Sequence, residues 1–187
     1  MTSFSAPAPA LSAIKIDITP IPTTSPVLPT KRLTTPINSI PTHIIAQSFA
    51  DRIFITVTQL NKFGCLYQAT TSASPSALDH DPVEASGSDL PPPLASTSVS
   101  KLVGSEPSPA YTALYQLYVA QIASIVKRGA GGDARPIIVS LALKPSEGKG
   151  SAEGDWDDEG DLLLLTSEDE RTRFIAVMEA VQKCRVW

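Results

Sequence analysis

The chain has 187 residues, 42% of them hydrophobic and 6% aromatic, and its 17 prolines are nearly twice the ordinary share of ~5%. Those prolines crowd before residue 42 and between 75 and 109, which excludes one compact domain filling the whole length, because proline withholds the N–H that helices and central strands need. A net charge of −4, with 15 basic residues scattered among 19 acidic ones, excludes the concentrated cationic footprint of a nucleic-acid binder, and no run reaches the ~18–20 apolar residues of a membrane helix.

Residues 1–37 are predicted to be a disordered Pro/Ser/Thr-rich tail, without the charged-then-apolar layout of a secretory signal. A single domain over 38–187 follows, ordered from about Ile40. Thr42–Ser48 is β-branched enough for a strand, and Ile53–Gln59 is the strongest strand signal in the chain. Asn61-Lys62-Phe63-Gly64 then turns into a strand over Cys65–Thr70. Three strands joined by such short turns predict an antiparallel meander.

A polar stretch over 71–97, carrying Pro91-Pro92-Pro93, is too long for an ordinary connection and is predicted to be a disordered insertion. Ser98–Val103 resumes the sheet. Pro109 suits the first turn of a helix in which Tyr111, Leu114, Tyr115, Tyr118, Ile122, Ile125 and Val126 recur at helical spacing, with Gly129 as the stop. Pro136–Leu143 is a further strand, and an acidic loop over 145–161 follows it. Ser167 with Glu170 forms a capping-box pattern opening a helix to about Lys183, whose apolar face is Phe174, Val177, Met178 and Val181. The expected fold class is α+β, an antiparallel sheet of five to six strands with two amphipathic helices on one face. Removing tail, insertion and acidic loop leaves ~107 residues, enough for a core without staples.

Chemistry finds little to stand on. Cys65 and Cys184 are the only cysteines, too few for a disulfide framework or a four-cysteine zinc site, and are expected to be reduced thiols. His43 lies in a strand and His80 in the insertion, and nothing in the spacing holds either against Cys65 as a nucleophile needs. Gly129-Ala130-Gly131-Gly132 precedes a strand rather than opening a helix, unlike a phosphate loop. Asp155, Asp157, Glu159 and Gly160 match the start of a calcium loop, but Thr166 stands where the closing glutamate belongs. The expectation is a protein that is not an enzyme, with no catalytic, cofactor-binding or metal residues.

Strand alternation sorts the sheet into two faces. Ile53, Ile55 and Val57, with Ile137, Val139, Leu141 and Leu143, suit the face that the helices cover. Phe54, Thr56 and Thr58, with Ile138, Ser140 and Ala142, make an uncharged second face of the kind that meets a partner. Phe54, Thr56, Thr58, Ile138 and Ala142 are therefore the candidate dimer-interface residues.

Ile40-Pro41-Thr42, Phe49, the stretch Thr56-Val57-Thr58-Gln59-Leu60-Asn61-Lys62-Phe63-Gly64 and the closing Cys184-Arg185-Val186-Trp187 resemble the proteasome assembly chaperone 3 family. Val57, Thr58, Gln59, Lys62, Gly64, Cys184, Val186 and Trp187 carry the resemblance, which spans roughly 40–70, 98–144 and 167–187. It implies a small non-enzymatic chaperone, acting as a homodimer or with a partner like the fourth assembly chaperone. That dimer would bind an alpha-type subunit and guide assembly of the alpha ring of the proteasome core particle. The implied location is the cytoplasm, extending to the nucleus. The competing expectations are a sheet-and-helix adaptor of another multiprotein complex and a thiol hydrolase using Cys65.

Overall fold

A computed structural model describes residues 27–71, 90, 92–131, 133–145 and 167–187. Its first element corrects the expected tail boundary: Thr30–Ile37 forms strand β1, hairpinned to β2 over Ile40–Ser48. The two-residue loop is Asn38-Ser39, both with positive φ (49° and 63°), the backbone of a hairpin turn whose twist matches its strands. Pro36 is tolerated because β1 is an edge strand and has no outer neighbour to receive an N–H. Leu33 faces Ile44 across the pair and packs against the core. Residues 1–26 of the expected tail, residues 72–89 and 91 of the expected insertion, and most of the expected acidic loop (146–161), including Asp155–Asp161 with the calcium-like spacing, lie outside the described residues.

Strands β3 (Ile53–Thr58), β4 (Cys65–Thr71), β5 (Thr97–Val103) and β6 (Ile137–Ala142) complete a six-stranded sheet in the order β1-β2-β3-β6-β4-β5. The expected meander is therefore incorrect at its last step. β4 does not pair with β3; β6 lies between them, parallel to β3 and antiparallel to β4. The physical reason is burial. All six residues of β6 are buried, and an apolar strand of that kind takes a central place with a neighbour on each side. The sheet is mixed rather than wholly antiparallel, its one parallel pair being β3 with β6.

Helices α1 (Tyr111–Gly129) and α2 (Glu168–Lys183) cover the face carrying Ile44, Ile53, Ile55, Val57, Tyr67, Ile137, Val139 and Leu141. Every apolar α1 position expected from the helical spacing is buried, as are Val177, Met178 and Val181 of α2, with Phe174 half-buried and set edge-on to Tyr118 at 4.9 Å. The capping box does not form: the Ser167 side chain makes no cap bond. Glu170 instead turns inward, 2% exposed, where it accepts the Tyr118 hydroxyl proton at 2.9 Å and pairs with Arg173. The same guanidinium donates at 2.5 Å to the Lys144 carbonyl just beyond β6, so this buried pair ties α2 to α1 and to the sheet. No described helix is long and apolar enough to cross a membrane.

Candidate functional site

The register of the ladders places Arg32 and Thr34 of β1, His43 and Ile45 of β2, and Phe54, Thr56 and Thr58 of β3 on the face away from the helices. Ile138, Ser140 and Ala142 of β6 and Leu66 and Gln68 of β4 continue it. The five candidate interface residues are thus brought together: Phe54 stands beside Ile138, Thr56 beside Ser140, and Thr58 beside Ala142. Ile138 and Ala142 are buried without belonging to the helix-covered core.

Their exposure differs within the set. Thr56, Thr58, Ile138 and Ala142 are shielded by neighbouring side chains and form a floor, whereas Phe54 is half-exposed. Phe63, absent from the sequence-derived set, rises over that floor at 69% exposure and meets Phe54 edge-on with ring centroids 6.1 Å apart. Beside it lies an open cavity of about 440 Å³ lined by Arg32, His43, Ile45, Thr56, Lys62 and Phe63. Sequence reasoning missed Phe63 because it sits in a turn, where alternation says nothing about which face a side chain joins.

The loop that presents Phe63 is held from several sides. Thr58 Oγ1 accepts the backbone N–H groups of Leu60 and Lys62 at 3.2 and 3.3 Å. Gln59 is buried; its amide Nε2 donates to Thr42 Oγ1 at 3.0 Å, its Oε1 accepts the Lys144 N–H at 3.0 Å, and its backbone N–H donates to the Ala142 carbonyl at 2.9 Å. Gly64 donates its N–H to Ser140 Oγ at 3.2 Å, and an added Cβ there would lie 1.8 Å from the Leu141 carbonyl oxygen. Thr58, Gln59 and Gly64 therefore clasp the passage from β3 over the end of β6 into β4. Val57 is fully buried in the core, while Lys62 points to solvent at the cavity rim.

The C-terminal motif residues act elsewhere, as packing. Cys184 is buried and donates its thiol proton to the Lys31 carbonyl at 3.3 Å, closing the end of α2 against β1. Val186 and Trp187 pack on the core, and the indole lies against Gly129, where a Cβ would come within 2.6 Å of Nε1. Gly129 thus serves close approach; the positive φ at the helix exit belongs to Gly131.

Cys65 and His43 occupy opposite faces of the sheet, Cys65 level with Leu141 in the core and His43 level with Thr58 on the open side, so they form no thiol–imidazole pair. Burial pushes the Cys65 thiol above its ordinary pKa, with the Glu106 carboxylate adding to the effect. His80 lies outside the described residues. The His43 ring is engaged by Thr34, Nδ1 to Oγ1 at 3.0 Å.

The model of proteasome assembly chaperone 3 matches residues 55–152, more than half of the chain. The matched span contains β3 from Ile55 onward, the clasped loop, β4, β5, α1 and β6, and leaves β1, β2, Phe54, α2 and Cys184–Trp187 outside. A solved structure described as the crystal structure of a novel chaperone complex for yeast 20S proteasome assembly aligns with a TM-score of 0.47 at 12% identity, covering 84% of this chain and 97% of that one. No curated protein sequence matches. With the family model spanning the central strands, the clasp and the long helix, the chain belongs to the proteasome assembly chaperone 3 family.

Proposed function

We propose that this chaperone works by docking alone, pairing through its helix-free sheet face and binding, as a dimer, an alpha-type subunit during assembly of the alpha ring of the proteasome core particle. The second chain is another copy or a protein like the fourth assembly chaperone, and the compartment is the cytoplasm, extending to the nucleus, where the Cys65 and Cys184 thiols stay reduced. Family membership supports the chaperone role. The observation that carries the docking reading is the face itself: Phe54 and Phe63 standing over a floor of Thr56, Ile138, Ser140 and Ala142, with neither helix packed on it. An apolar surface of this sort, rimmed by polar groups, is where one protein meets another. The work is done by surface and not by bond-making, which agrees with a Cys65 thiol sealed in the core away from His43.

Phe54→Asp places a carboxylate at the middle of that face and is expected to abolish pairing without unfolding the chain, since Phe54 lies outside the helix-covered core. Sedimentation equilibrium of both proteins, with and without purified alpha-type subunits, tests this. A wild-type mass of two chains and a variant mass of one is the expected result. Equal masses for the two proteins would contradict it.

A further inference from the structure

Helix α1 is covered on more sides than a sheet and one neighbouring helix provide. Gln121, Ile122, Ala123, Ser124, Ile125 and Val126 are all buried. Six consecutive residues circle a helix more than once, whereas a helix lying on a sheet buries a single stripe. The remaining side is closed by chain from the connection between β4 and β5. Leu90 packs against the core, and Pro92, Pro93 and Leu94 follow, outside any helix or strand. The Leu94 N–H donates to Ser124 Oγ at 2.8 Å, and Arg128 Nη2 donates to the Pro92 carbonyl at 3.0 Å. Ser124 is fully buried and donates its own hydroxyl proton to the Ala120 carbonyl at 2.8 Å, so the hydroxyl is committed in both directions.

The contact has the form of a ligand lying along a helix. Ser124 and Arg128 stand one turn apart, about 6 Å of rise. An extended proline-rich chain advances about 3.1 Å per residue, so Pro92 to Leu94 spans about the same length. Because Leu94 meets Ser124 and Pro92 meets Arg128, the strap runs opposite to α1. Proline withholds its N–H, so the first donor after the run is Leu94, which sets the register. Pro92 and Pro93 are exposed, and Leu90 and Leu94 are half-buried. The Leu94 carbonyl accepts the Thr97 N–H at 3.0 Å, and the β4–β5 ladder begins only at Thr97, so the strap can lift at this turn and leave the sheet paired.

We propose that the side of α1 carrying Ser124 and Arg128 is a receptor for an extended leucine–proline segment. The chain's own strap fills it at rest, and a partner's segment of the same chemistry enters when the strap lifts. The partner presents leucines around a short run of prolines, a proline carbonyl for Arg128 and the first following N–H for Ser124. Its prolines hold it extended before it docks, which lowers the ordering cost of binding. The receptor lies on the helix side of the sheet, so its occupation leaves the face carrying Phe54 free, and the inference stands apart from the docking reading above.

The test uses the full chain and a fluorescein-labelled peptide copying residues 88–96, Ser-Asp-Leu-Pro-Pro-Pro-Leu-Ala-Ser, with binding read by fluorescence anisotropy. Two variants loosen the strap. Leu90→Ser/Leu94→Ser removes its apolar anchors, and Pro92→Gly/Pro93→Gly changes exposed side chains only and removes its stiffness. At least one of them is expected to bind the peptide tenfold or more tightly than wild type, whose receptor is filled. Adding Arg128→Gln, at an exposed position, is expected to weaken that binding at least threefold, and a peptide with serine in place of both leucines is expected not to bind. The proposal is overturned if neither variant exceeds wild type, if Arg128→Gln leaves the gain intact, or if the serine peptide binds equally well. Loss of the folded circular dichroism spectrum in both variants overturns it too, since the strap is then part of the core and not its occupant.

Discussion

Gly64→Ala is the most informative single perturbation of the fold, because it adds one methyl group where two backbones meet. The new Cβ would stand 1.8 Å from the Leu141 carbonyl oxygen and 2.8 Å from the Ala142 Cα, and a real Cβ contact requires at least 3.0 Å. The opposing atoms are backbone of β6, a central strand hydrogen-bonded on both sides, so no side chain can swing away. The clasp must open by more than an ångström, which breaks the Gly64 N–H bond to Ser140 and strains the Cys65–Leu141 and Leu66–Ser140 ends of the ladder. Forced overpacking costs about 1–3 kcal/mol and the lost hydrogen bond about 0.5–1.5 kcal/mol, so a loss on the order of 2–4 kcal/mol follows. For a domain of this size that lowers Tm by roughly 10–20 °C, measured by circular dichroism on heating. Gly131→Ala is the control: its φ is +61° with open space around it, so only the backbone preference is lost, about 1 kcal/mol. A Gly64→Ala protein melting no lower than the Gly131→Ala protein would refute the clasp.

The buried pair gives a second test. Glu170→Ala leaves the Arg173 guanidinium, 3% exposed, without its counter-charge and is expected to cost about 3–5 kcal/mol in urea denaturation, while Tyr118→Phe removes one bond to that carboxylate and costs about 1.5–3 kcal/mol. A loss under 1 kcal/mol for Glu170→Ala would refute the role given to the pair. Alkaline titration is a third. Burial pushes the Tyr115 hydroxyl up to about 12 and Tyr118 well above the ordinary tyrosine value, the Glu170 charge adding to the latter. A folded pKa raised above the unfolded one means stability is fully present below pH 10 and lost as pH climbs from 10 towards 12, by about 3 kcal/mol for Tyr115 alone. Tyrosinate absorbance at 295 nm from these residues should therefore appear together with loss of ellipticity; full ionisation at pH 10 in a folded protein would contradict it. Burial likewise raises both thiols, so Ellman's reagent at pH 7.5 should modify Cys65 and Cys184 at least a hundredfold more slowly in the folded chain than in urea. Equal rates would revive Cys65 as an accessible nucleophile.

What was legible in the sequence was what short-range pattern controls. Alternation located β3 and β6 and sorted both of their faces, and helical spacing identified the whole buried stripe of α1. The strand order was not legible, since a six-residue connection from Thr58 to Cys65 serves a hairpin equally well with or without β6 inserted in it. Strand β1 is hidden by its composition: Pro29, Pro36, Thr30, Thr34 and Thr35 suit a tail as well as an edge strand, and only Leu33 and Ile37 show its inner face. Glu170 was assigned to a cap because its spacing from Ser167 is local, whereas the partners that draw it inward lie 52 residues away on α1 and beside it on α2. The candidate site divided the same way. Its floor followed from alternation in β3 and β6, but Phe63 and the cations at its rim come from a turn and from β1, where the pattern carries no such signal.

The central claim is that the helix-free face joins two chaperone chains that together hold one alpha-type subunit. Native mass spectrometry of the wild-type chain and of Phe54→Asp, each mixed with purified alpha-type subunits and with or without a second assembly chaperone, tests it most directly. The account requires a species with two chaperone chains and one alpha-type subunit for wild type, absent for Phe54→Asp. A complex of the same mass formed by Phe54→Asp, or wild type that takes up no alpha-type subunit, would contradict it.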